Sequence, residues 1–86
     1  MAIQTYNAYL RRLLKNAPCI LAYDTAADYL GLYSGSTRPH TAKIYVTHPL
    51  CIAGTIEYRI PSFDSVEHEA RNGLLCTTVN QTINDL

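Results

Sequence analysis

Apolar residues recur along the start of the chain at the spacing of an amphipathic helix. Ile3, Tyr6, Leu10, Leu13, Leu14 and Ala17 step by three, four, three, one and three residues, which sets one apolar stripe on a helix over 3–16. Arg11, Arg12 and Lys15 lie on or beside the opposite face, where cations near a helix carboxy terminus complement its dipole. Pro18 stops the helix. Cys19-Ile20-Leu21-Ala22 is short and apolar throughout, so it reads as a strand or an extended connection.

A second helix follows, with Asp24 or Thr25 as its cap, Ala26, Ala27, Tyr29 and Leu30 as its body, and Gly31 as the left-handed residue past its end. Ser34 to His40 reads as a loop broken by Gly35 and Pro39. Lys43 to Thr47 is β-branched and aromatic, a strand ended before Pro49. Thr55 to Ile60 alternates and places Ile56, Tyr58 and Ile60 on one face, the clearest strand pattern in the chain. Residues 61–72 read as an irregular, acidic, exposed segment, and Gly73 to Thr77 as a further short strand. Thr78-Val79-Asn80-Gln81 has capping-box form, with Thr78 as N-cap and Gln81 reaching back to its N–H. Val79, Thr82, Ile83 and Leu86 then make an apolar face on a closing helix, and that face points to a partner or to a truncated ancestor.

These elements predict an α+β fold: an amphipathic amino-terminal helix over 1–17, a second short helix, a small mostly antiparallel sheet and a carboxy-terminal helix. Its 86 residues fit one small domain, since domains typically run to about 100–150 residues. With 48% hydrophobic and only 16% charged residues, a disordered charged tail is excluded, because the apolar content suffices to build a core. Four Gly and four Pro exclude collagen-like and low-complexity chains. A chain this small buries only about 60–65% of its unfolded surface, so a partner or a second copy, as in a homodimer, would add useful support.

Formal charge sums to zero, and without a global basic field nucleic acid is not expected as the main ligand. The distribution is uneven. Residues 1–23 carry Arg11, Arg12 and Lys15 and no acid, whereas Asp64, Glu67, Glu69 and Asp85 oppose only Arg71 after residue 60. Such bipolar charge suits steering of a protein partner, as well as an ordinary solvated surface.

Cys19, Cys51 and Cys76 are odd in number, form no CxxC and sit in apolar runs, so they read as small buried hydrophobes in a reducing compartment. No signal-peptide pattern or long apolar run is present, and a cytoplasmic location without a membrane segment is expected. His48 and Cys51 do not make a metal site on their own, His68-Glu69 lacks the second His of a zinc-protease helix, and no phosphate loop occurs. No catalytic residue and no cofactor are expected. Seven Tyr against one Phe and no Trp suit core edges and protein interfaces, and Tyr6 and Tyr9 beside the basic trio would also suit base stacking.

The order of segments resembles a known family. Ile20-Leu21-Ala22-Tyr23-Asp24-Thr25-Ala26-Ala27-Asp28-Tyr29-Leu30-Gly31-Leu32 is similar to a stretch of the AbiEi antitoxins of type IV abortive-infection toxin–antitoxin systems. Lys43-Ile44-Tyr45-Val46-Thr47-His48-Pro49 resembles their following strand, and Gly73 to Leu86 resembles the end of the same region. The similarity covers residues 19–86. Only one helix precedes it, where the family carries a winged helix-turn-helix that binds its own promoter, and Asn80-Gln81 replaces the usual glu-arg. The resemblance implies a small α+β module from bacteria or phage that works by binding.

The expectation is therefore a non-enzymatic inhibitor, an antitoxin neutralising a nucleotidyltransferase-like toxin. Alternatives are a phage or mobile-element protein of anti-CRISPR type acting on a bacterial immunity nuclease, and a small nucleic-acid-binding accessory protein. The partner-binding residues expected are Tyr9, Arg11, Arg12 and Lys15.

Overall fold

In the computed structural model, which describes residues 2–32 and 41–86 with side chains from residue 8 onward, a mixed sheet carries three helices. The elements run α1 (Ala2–Leu13), β1 (Cys19–Leu21), α2 (Tyr23–Leu30), β2 (Ala42–Val46), β3 (Thr55–Arg59), a 3-10 turn (Phe63–Ser65), β4 (His68–Arg71), β5 (Leu74–Thr77) and α3 (Val79–Asp85). The α+β class holds. The loop expected over Ser34 to His40, and the side chains of Ile3 and Tyr6, lie outside the described residues.

Strand order is β3-β2-β1-β5-β4. β1 is the central strand, and Cys19, Ile20 and Leu21 are all buried. That explains their unbroken apolar run, since a strand covered on both faces has no need of alternation. β1–β2 and β4–β5 are antiparallel, but β1–β5 and β2–β3 are parallel. The sheet is thus mixed, where a mostly antiparallel one was expected. The parallel pairs arise because the chain leaves the sheet between their strands, through α2 and much else for β1–β5 and through the crossover of residues 47–54 for β2–β3. Local alternation carries no information about those returns.

Leu21, Ile44, Val46, Leu74 and Cys76 point to the helical face and meet Leu10 of α1, Leu14 just past its end, and Ala26 and Tyr29 of α2. Ile20 and Tyr45 point the other way and are joined by Tyr23, Tyr58, Ile60, Phe63, Val66 and Leu75. Ile20, Leu21 and Ile44 are fully buried, and each contributes on the order of 1.5–3 kcal/mol by leaving water.

Several local expectations are corrected. α1 ends at Leu13, not Asn16: Asn16 takes a left-handed φ of 65°, and a residue preceding proline, here Ala17, disfavours helix. α2 starts at Tyr23 with Ala22 as its N-cap and no side-chain cap. Asp24 and Thr25 do not cap it because both serve Lys43: the Thr25 hydroxyl accepts its backbone N–H at 2.9 Å, and the Asp24 carboxylate lies 3.2 Å from its ammonium. Gly31 holds at φ 76°, and its N–H and that of Leu32 reach the carbonyls of Asp28 and Ala27, closing the helix by two reversed turns of hydrogen bonds.

Residues 61–72 are more ordered than their composition suggests. Asn72 and Gly73, at φ 52° and 89°, make the two-residue turn of a hairpin that draws His68–Arg71 into β4 against β5. Thr78 does cap α3, accepting the Gln81 N–H at 3.2 Å, but Gln81 does not reach back to Thr78. Its carbonyl oxygen accepts the Glu67 N–H instead, so the cap is tied to the segment before β4.

Candidate functional site

Two surfaces offer binding chemistry. The first is the basic end of α1. Arg12 and Lys15 are exposed, while Arg11 and Tyr9 are half-buried, and Tyr9 packs against the helical-face core. The four residues stay on one helix and its following turn.

The second surface lies between α2 and α3. Thr82 is buried, with its hydroxyl 2.6 Å from that of Thr77 and donating to the Thr78 carbonyl at 2.8 Å, which seats α3 beside the end of β5. With Thr82 turned inward, Ile83 of α3 and Leu86 just past it face outward, 60% and 68% exposed. Across from them the closure of α2 presents Leu32, 40% exposed, over Ala27. Ala27, Leu32, Ile83 and Leu86 line an open apolar concavity of about 520 Å³. Leu32 is the member that periodicity misses, since it lies beyond the helix. Its signal is its place one residue after a left-handed glycine, where an apolar side chain folds back on the helix.

Two carboxylates adjoin the lining residues of the concavity in sequence. Asp28, next to Ala27, is half-buried, and burial with the nearby Asp24 pushes its carboxyl up to about 6. Asp85 precedes Leu86 and accepts from the Tyr45 hydroxyl at 2.7 Å and from the Gln81 amide at 2.9 Å. Burial foremost, then the Tyr23 hydroxyl and the Asp85 carboxylate, hold the Tyr45 hydroxyl well above its ordinary value. The Tyr23 ring stands 5.4 Å from Tyr45 and 4.8 Å from Tyr58, so three of the seven tyrosines form one cluster on the sheet face away from α1.

Cys19 and Cys76 are buried, and burial pushes their thiols up to about 11 and about 12, which suits packing and not nucleophilic use. Cys51 differs from expectation: it is exposed, at a left-handed φ of 57° in the crossover. The crossover turns there because Glu57 accepts the N–H groups of Leu50 at 3.1 Å and Cys51 at 2.8 Å, which leaves the thiol outside. Among the described residues no three His, Cys, Asp or Glu side chains gather as a metal-holding group, and no helix is long and apolar enough to cross a membrane.

The chain matches no family model, no curated protein and no solved structure.

Proposed function

We propose that the chain is a non-enzymatic inhibitor that binds a partner protein, in the manner of an AbiEi-like antitoxin against a nucleotidyltransferase-like toxin. The single observation that carries the binding reading is the apolar concavity of Ala27, Leu32, Ile83 and Leu86. Adjacent apolar side chains of this size left open to water are a mark of interaction surfaces. The lining of the concavity is wholly apolar, so the occupant is an aliphatic or aromatic segment of the partner, and Lys or Arg flanking that segment would suit Asp28 and Asp85, the sequence neighbours of Ala27 and Leu86. The exposed Arg12 and Lys15 would then steer an acidic part of the same partner. The toxin assignment itself rests on the resemblance of residues 19–86 to the antitoxin family.

The test is binding to purified nucleotidyltransferase-like toxins from the native host, with calorimetry and growth rescue as readouts. A stoichiometric complex that rescues growth, and that Ile83→Asp or Leu86→Asp abolishes, is the expected result. Binding untouched by both substitutions would remove the concavity from the reading. No complex with any such toxin, together with capture of a CRISPR nuclease, would replace the antitoxin by an anti-defence inhibitor. Salt-sensitive binding to bare nucleic acid alone would overturn the inhibitor reading.

A further inference from the structure

β3 is an edge strand, and its hydrogen bonds fix which way each residue points. The Ala42 N–H donates to the Gly54 carbonyl and the Ile60 N–H to the Val46 carbonyl, both at 2.8 Å. In a parallel ladder these two bonds set the phase, so the backbone groups of Gly54, Ile56, Tyr58 and Ile60 face β2 and those of Thr55, Glu57 and Arg59 face outward. The Thr55 N–H is already taken by the Ile52 carbonyl at 3.3 Å. Among the described residues, the N–H and C=O groups of Glu57 and Arg59 have no protein partner. With the outward Thr55 carbonyl, the strand presents five such groups, two donors and three acceptors.

We propose that β3 pairs antiparallel with β3 of a second copy, about a two-fold axis through Tyr58, joining two five-stranded sheets into one of ten. In this register Glu57 lies opposite Arg59 of the second copy, and the reciprocal pair repeats across the axis. Each such pair exchanges two N–H···O=C bonds, so the N–H and C=O groups of Glu57 and Arg59 on both strands are used. Thr55 is set opposite Pro61 of the other strand, which has no N–H to offer, and the already occupied Thr55 N–H is not needed.

The side chains agree with the same axis. Glu57 and Arg59 are opposite charges placed directly across from each other, on a guanidinium whose Nε donates to the Thr47 carbonyl at 2.8 Å and whose Nη atoms remain to meet a carboxylate. On the other face Tyr58 meets Tyr58, and Ile56, 42% exposed in the single copy, meets the half-buried Ile60. Aromatic and aliphatic pairs of this kind are the stabilising units of antiparallel sheets. Tyr58 stands 4.8 Å from Tyr23, so the pairing extends the tyrosine cluster across the interface.

Other registers and edges fit less well. An axis through Glu57 would set two glutamates against each other and would call on the occupied Thr55 N–H. On β4, the Thr78 N–H to Glu67 carbonyl bond at 3.1 Å leaves His68 and Ala70 facing outward, and the equivalent two-fold sets Glu69 against Glu69. Isologous pairing of like edges closes after two copies, so it ends the exposed strand without building a fibre. The axis lies away from α2 and α3, so it leaves the concavity between them open and stands whether or not the inhibitor reading does.

Sedimentation of the whole chain tests the pairing. The mass should rise with concentration from 9.6 kDa toward twice that value. Arg59→Pro removes an outward N–H without touching the β2 ladder, and should raise the dimer dissociation constant by about tenfold or more. Independently, in a Cys51→Ser background, Tyr58→Cys should cross-link two copies under mild oxidation, because residues facing on the axis of a non-hydrogen-bonded pair have Cα atoms about 4.5 Å apart. Ile56→Cys and Glu57→Cys should not, since each faces a different residue. A constant mass of 9.6 kDa up to millimolar concentration, a dimer indifferent to Arg59→Pro but lost with Ile83→Ser, or cross-linking without preference for position 58 would each overturn the proposal.

Discussion

Replacing Tyr45 by Phe deletes one hydroxyl from a ring that is almost wholly buried, and the consequence can be worked from the bonds around it. The hydroxyl donates to Asp85 at 2.7 Å, a length typical of a hydroxyl on a carboxylate, and ties the last turn of α3 to β2. Hydrogen bonds to charged groups are worth about 1.5–3 kcal/mol. Asp85 is only half-buried and keeps its bond from the Gln81 amide, so water can serve the vacated oxygen and the lower part of that range applies, about 1.5–2 kcal/mol. The phenyl ring retains its packing against Tyr23, which confines the change to the bond. Urea unfolding of Tyr45→Phe, Asp85→Asn and the double variant should give a coupling energy of about 1 kcal/mol. In heat the single loss corresponds to about 4–8 °C per kcal/mol for a domain of this size.

The alkaline limb gives a second reading of the same bond. The folded value of Tyr45 lies above the ordinary value of 10, so the stability it contributes is complete below pH 10 and is lost as pH rises through the folded value. Tyr45→Phe should therefore flatten the alkaline loss relative to wild type. A destabilisation below about 0.3 kcal/mol with zero coupling would refute the reasoning, because solvent would then serve Asp85 as well as Tyr45 does.

Asp28→Asn should raise the melting temperature at pH 7.5 and leave it unchanged at pH 3. A carboxyl raised to about 6 contributes stability that is full below 3.8 and lost as pH rises through about 6, and its charge also sits in the last turns of α2, where the helix dipole disfavours it. Equal shifts at both pH values would remove the ionisation argument. Alkylation of the native chain at pH 8 should modify Cys51 alone, with Cys19 and Cys76 reacting only after denaturation, as mass spectrometry of the labelled peptides can read. Gly73→Ala adds a Cβ that meets nothing within 4 Å, so its cost should be the left-handed strain alone, about 1 kcal/mol in a denaturant titration. A loss several times larger would mean that the hairpin is held by packing at the turn.

Where the chain's own bonding pattern is local, it was legible. Gly31 could be assigned as the end of α2 and Thr78 as the start of α3 because each motif closes within a few residues. Helical spacing also put Val79, Thr82, Ile83 and Leu86 on one apolar face, of which Val79, Ile83 and Leu86 are exposed while Thr82 turns inward to Thr77. The hairpin turn at Asn72-Gly73 carried its own local signal, but the acidic composition around it masked that signal. By contrast, Asp24 and Thr25 have the composition of helix caps and are diverted to Lys43, a residue made their neighbour only by the pairing of β1 with β2. The concavity depends in the same way on Leu32 and Ile83 meeting across 51 positions of sequence.

Period, propensity and caps act over a few residues, so they were enough to specify an amphipathic first helix, a short apolar run after it and a short closing helix with apolar residues on it; that the apolar run is the central strand, buried on both faces, came from the sheet. Strand order, the parallel returns and the choice of edge strand were decided only by tertiary structure. Thr55 to Arg59 shows why: its alternation is the clearest in the chain, yet it lies at the sheet margin with Ile56 open to water. Alternation records that a strand has two unlike faces. Which neighbour takes its hydrogen bonds, and which edge is left without one, depends on residues far away in sequence and on the connections that return them.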